Sequence, residues 1–233
     1  MLTFVAVALL TLSKKEKKIE RGGIFKVPDS QVHDGKAWTN IELNKKGNLL
    51  HLTISIDDAA LNSLPVGAGN NGDGGHDHDN SWILKFHPGG SATPFDHVEI
   101  DWNLNGHEPD AIYGKPYFDF HFYLTTPEEV AAIPPDEVDS SKFLKWPAAN
   151  YLPANYFNAG GGVLQMGCHW VDPTSGEFNG QPFTQTFIYN SYDGKVTFYE
   201  PMITLDFLKT NNNFERSIPQ PAKVQKKADT LPG

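Results

Sequence analysis

Apolar side chains recur at every second position in several stretches of this chain, the period expected of half-buried β-strands. Leu50, Leu52, Ile54 and Ile56 alternate with His51, Thr53, Ser55 and Asp57, and Val98, Ile100 and Trp102 alternate with His97, Glu99 and Asp101. The sharpest case runs from Tyr117 to Tyr123. Phe118, Phe120 and Phe122 share one face, and Tyr117, Asp119, His121 and Tyr123 share the other. The first face belongs in a core; the second has the makings of a polar pocket wall. Trp82 to Phe86, Phe183 to Tyr189 and Lys195 to Glu200 read as further strands. Asp193-Gly194, between the last two, is a strong two-residue hairpin signal.

Helical signals are short. Asp57 or Asp58 is placed to cap a turn through Leu61, which Pro65 stops, and Thr126-Pro127-Glu128-Glu129 has capping-box spacing with proline at the first helical position. The second helix is expected to end near Ile133, before Pro134-Pro135. Gly67 to Asn80 is too rich in Gly and Asn to pack, and Lys145 to Gly162 reads as an ordered loop over the core. The pattern therefore predicts a mainly β fold: an antiparallel barrel or barrel-like sandwich with short helical inserts. Residues 21–218 are expected to form a single β-rich domain, followed by a flexible tail over 219–233.

Composition narrows the function classes. The 233 residues carry a formal charge of -9, which disfavours nucleic-acid binding, and the single Cys168 precludes an internal disulfide. Leu2 to Leu12 is an apolar run too short to span a membrane, so residues 1–20 read as an export signal, although the basic residues follow the run rather than precede it. A buried strand or helix is the alternative. The export reading places the protein in the periplasm, in the cell envelope or outside the cell.

Nine histidines, several beside acids, are the chemically suggestive surplus. Imidazole and carboxylate groups on neighbouring strands can converge on zinc, iron, manganese or copper. The candidate ligands are His107, His121, His169 and Glu200, with Asp119 either a ligand or a supporting group. Tyr117, Tyr123 and Asp101 are expected to line the same pocket. A carboxylate–imidazole pair can equally form a buried hydrogen-bond network with no metal. Cys168 beside His169 is expected to be a core residue, because neighbours on a strand face oppositely. His76-Asp77-His78-Asp79 is a second ligand-rich run, in a segment too polar to order easily.

Asp101-Trp102-Asn103, Gly106-His107-Glu108-Pro109, Phe118 to Tyr123, Met166-Gly167 with His169-Trp170, Tyr192-Asp193-Gly194 and Glu200-Pro201-Met202 together resemble a bacterial exported family. That family is typified by a thermophile protein under extracytoplasmic-stress sigma-factor control. The resemblance spans Leu50 to Phe207 and implies an envelope-associated, mainly β protein that assembles as a ring-like homo-oligomer. It implies no reaction. The family pattern has histidine where this chain has Tyr117, which puts a phenol in place of an imidazole. Phe-His-Phe and His-Trp also resemble the zinc strands of α-type carbonic anhydrases, but the His-x-His pair is missing around His121. Three functions follow as expectations: a metal-dependent enzyme acting on a small molecule, a non-catalytic envelope protein holding a small ligand or metal, and a structural oligomer subunit.

Overall fold

Alternating burial produces two stacked antiparallel sheets. The computed structural model describes residues 22–65, 80–87, 93–211 and 213–225, and the backbone of Leu2–Ala6. Five strands form the first sheet: β1 (Leu2–Ala6), β2 (Gly23–Lys26), β3 (Ser30–Val32), β4 (Gly35–Leu43) and β5 (Leu49–Ile56). Their order is β1-β5-β4-β2, with β3 also on β4. The seven-stranded second sheet contains β6 (Ser81–Lys85), β7 (His97–Asn103), β8 (Tyr117–Tyr123), β9 (Phe157–Asn158), β10 (Cys168–Val171), β11 (Gln185–Tyr192) and β12 (Lys195–Thr204). Its order is β6-β7-β8-β12-β11-β10-β9. Neither sheet closes on itself among the described residues, so the fold is a barrel-like sandwich rather than a barrel.

Short helices fill the connections: α1 (Asp58–Ser63), α2 (Asp110–Tyr113), α3 (Pro127–Ala131), α4 (Asp136–Phe143) and α5 (Leu205–Thr210). Asp57 caps α1 by accepting from the Ala60 amide at 2.8 Å. Thr126 and Glu129 form the full capping box of α3. Asp193 and Gly194 both take positive φ, 48° and 79°, as a type I′ hairpin turn requires.

The main core lies between the sheets. Ile41, Leu52 and Ile54 of the first sheet meet Ile100, Trp102, Phe118, Phe120, Phe122, Tyr189 and Tyr199 of the second. Leu50 departs from the expected alternation and is exposed. The β4–β5 register shifts between Glu42 and Leu43, which leaves Leu50 as the unpaired residue of a bulge.

The opposite face of the second sheet is covered as well. Tyr113, Val171, Phe183, Ile188 and Met202 form one apolar patch there, and Tyr123, Val130, Met166 and Phe198 form another. Strand β12 continues through Pro201 to Thr204, beyond the expected end at Glu200. Proline is tolerated in this inner strand because the β8–β12 ladder is interrupted at Glu200 and Pro201, resuming in the same register at Met202.

Part of the apolar N-terminal run, Leu2–Ala6, pairs with β5, while residues 7–21 lie outside the described residues. The Gly- and Asn-rich segment with His76-Asp77-His78-Asp79 also lies outside them. From Pro219 to Gln225 the chain is fastened: Tyr189 donates its hydroxyl to the Pro219 carbonyl at 2.6 Å, and the Lys223 amide donates to Asn150. Residues 226–233 are not described.

Candidate metal centre

Strand pleating gathers the acids and imidazoles on the covered face of the second sheet. Asp101 on β7 stands opposite Asp119 on β8, and Glu99 opposite His121. The unbroken register between β8 and β12 sets Glu200 opposite His121. Asp101, Asp119, His121 and Glu200 are each at most 4 % exposed. They lie between the two apolar patches, where an uncompensated charge costs several kcal/mol or more.

Hydrogen bonds orient the group. His121 donates from Nδ1 to Asp101 Oδ2 at 2.7 Å, which turns Nε2 toward Glu200 Oε1, 3.5 Å away. Ser81 holds the other Asp101 oxygen. Asn103 donates from Nδ2 to Asp119 Oδ2 at 2.8 Å. The remaining oxygens, Asp119 Oδ1 and Glu200 Oε2, are buried without a hydrogen-bond partner among the described residues. One ligand atom from each of Asp119, His121 and Glu200 lies within 4.8 Å of the other two.

Electrostatics follow from this crowding. Burial, then the Glu200 charge, holds Asp119 well above the usual carboxylate range. Burial works against charging His121, but the Glu200 charge and the bond to Asp101 outweigh it and raise the imidazole pKa. Burial also works against ionising Glu200, yet the His121 charge brings Glu200 down to about 2. Glu99, half-buried at the border, is pushed up to about 7 by burial and then by Asp101. The crowding thus favours charge on His121 and Glu200 as a pair and opposes it on Asp119.

The donor set suits a metal ion. Two carboxylates and one imidazole suit zinc, iron or manganese, and two of their buried oxygens have no hydrogen-bond donor among the described residues. The Asp101–His121 bond is the arrangement that fixes a ligating imidazole in other metal sites. A cation here would compete with protons for Asp119 and His121.

Of the four ligands expected from sequence, the structure brings His121 and Glu200 together, and Asp119 completes the group. His107 lies outside the group of three, half-buried, its Nδ1 against the Glu108 carbonyl and its ring 5.1 Å from Tyr113 and 5.7 Å from Tyr117. His169 on β10 pairs across to Asn190, half-buried, and its charge reaches Glu200 without joining the group of three. Tyr123 is buried, stacked on His97 at 4.8 Å. The Tyr117 hydroxyl is buried without a partner among the described residues. The Cys168 thiol donates to the Phe143 carbonyl within its own apolar patch. Asn103 was missed as a functional residue, although Asp-Trp-Asn on a strand already aligns it with Asp101. No family model, curated protein or solved structure matches this chain.

Proposed function

We propose that this is an exported β-sandwich protein that binds a first-row metal ion through Asp119, His121 and Glu200, with Asp101 and Asn103 holding the ligands. The observation that carries the reading is the meeting of three potential ligands in a water-excluded layer, two of them with unsatisfied oxygens. Export rests on the apolar run near the N-terminus, and envelope association on the family resemblance. A bound cation would supply Lewis acidity there. Tight burial of the ligands favours retention of the ion over exchange, as in closed metal sites.

The test uses protein purified without an affinity tag. Elemental analysis should find near-stoichiometric zinc, iron, manganese or copper, lost in His121→Ala and in the isosteric Asp119→Asn and Glu200→Gln. Protein that takes up none of these metals, while the same substitutions lower its melting temperature, would instead establish a hydrogen-bonded structural network. The raised pKa of Asp119 gives that second reading its support, since a protonated carboxyl can donate to Glu200. Fractionation of expressing cells tests export, which full-length protein confined to the cytoplasm would overturn.

A further inference from the structure

One row of side chains crosses the covered face of the second sheet from edge to edge. Ile83 on β6 pairs with Glu99 on β7, Glu99 pairs with His121 on β8, and His121 reaches Glu200 on β12 at 3.5 Å. Beyond Glu200 stand its partner Ile188 on β11, then Val171 on β10 and Phe157 on β9. Both ends of the row meet solvent, Ile83 being 45 % exposed and Phe157 47 %. What separates each end from the ligands differs. On the β9 side the row passes through Ile188 and Val171, both buried in one apolar patch. On the β6 side it passes through a single residue, the half-buried carboxylate of Glu99. Paired residues of neighbouring strands lie about 4.5–5.5 Å apart and share a face. Glu99 is therefore next to His121, on the side away from Glu200. A cation entering an apolar layer without a counter-charge loses several kcal/mol or more. The β9 side imposes that cost, and Glu99 offsets it on the β6 side.

We propose that Glu99 is the entry carboxylate of the metal site: it receives a divalent cation at the β6 edge and hands it to Asp119, His121 and Glu200. This rests on the metal-binding reading above and adds the side from which the ion comes and goes. Asp119 Oδ1 and Glu200 Oε2, buried without a hydrogen-bond partner among the described residues, draw the ion inward from Glu99. Glu99 itself lies outside the group of three, so it eases passage without joining the final coordination. A group that lowers the barrier between solvent and site speeds loading and unloading alike, and leaves the equilibrium between them unchanged. Ile83 sets the mouth. Its exposed side chain stands opposite Glu99, so a charge placed there acts on the ion as it arrives.

The test strips the full-length, untagged protein with a chelator and mixes it rapidly with zinc, manganous, ferrous and cupric ions in turn, a chromophoric indicator following the free ion. For an ion that binds, Glu99→Gln should slow uptake and release alike, each by about tenfold, and leave the equilibrium affinity unchanged. Glu99→Asp, which keeps the charge, should restore most of the rate. Ile83→Lys should slow uptake as well, while Phe157→Lys, the same charge at the other end of the row, should leave it at the wild-type rate. Unchanged kinetics in Glu99→Gln, or equal slowing by the two lysines, would overturn the route and leave the three-residue site standing. Weaker affinity with faster release in Glu99→Gln would make Glu99 a ligand and overturn its role as an entry group. Wild-type protein that takes up none of the four ions would overturn the metal reading together with the route.

Discussion

Asp101 is placed to serve the proposed metal site without being one of its ligands. It holds His121 by Nδ1, so Nε2 faces Glu200. Asp101→Asn keeps the shape but removes the charge that supports the imidazole. We predict metal affinity about 10- to 100-fold weaker, read by competition with a chromophoric chelator. The same crowding sets a pH dependence. Glu99, raised from 4.5 to about 7, favours the folded state while protonated. That contribution is full below its unfolded pKa and is lost as pH rises through the folded value, at a cost on the order of 3 kcal/mol. Asp119 and His121, also raised, act in the same direction. Glu200 acts oppositely, and its contribution is lost only as pH falls toward about 2. Metal-free protein should therefore lose stability between pH 4.5 and 7, and Glu99→Gln should flatten that slope in urea titrations.

Strand β8 is the element that joins stability to chemistry. Its three phenylalanines fix which face meets the first sheet, and so aim Asp119 and His121 at the other. Phe118, fully buried and 4.8 Å from Trp102, is central to that anchoring. Phe118→Ala should cost about 3–5 kcal/mol in urea unfolding and reduce metal uptake as well. Thr126→Ala, which removes the cap of α3, should cost only about 1 kcal/mol. The two faces of β8 were legible in the sequence because alternation is a local property. The capping box and the Asp-Gly hairpin were legible for the same reason. Register between distant strands is not local. Nothing in the composition around Asp119 says that Glu200 stands across from His121, or that His107 stays outside the group. The bulge at Leu50 and the ladder gap at Pro201 also depend on pairing partners, so strand propensity alone misplaced Leu50 and the end of β12.

At the scale of the molecule, the two sheets depend differently on the chain's beginning. The second sheet is built wholly from residues from Ser81 onward, whereas β5 of the first sheet is flanked on one side by β1, Leu2–Ala6. The export reading assigns that same segment to a signal. If export removes it, β5 becomes an edge strand with unpaired backbone groups along Leu52–Ile56, and such edges template pairing with another chain. A chain beginning at Gly22 should then associate as its concentration rises, while the full chain, with the edge covered, should not. Light scattering across a dilution series reads the difference. Association confined to the shortened chain would tie processing to assembly, in line with the homo-oligomer that the family resemblance implies. A shortened chain that stays monomeric at every concentration would show that β5 tolerates an open edge. Because the proposed metal ligands all lie on β8 and β12, neither outcome should change metal uptake, and a parallel metal assay on the shortened chain checks that independence.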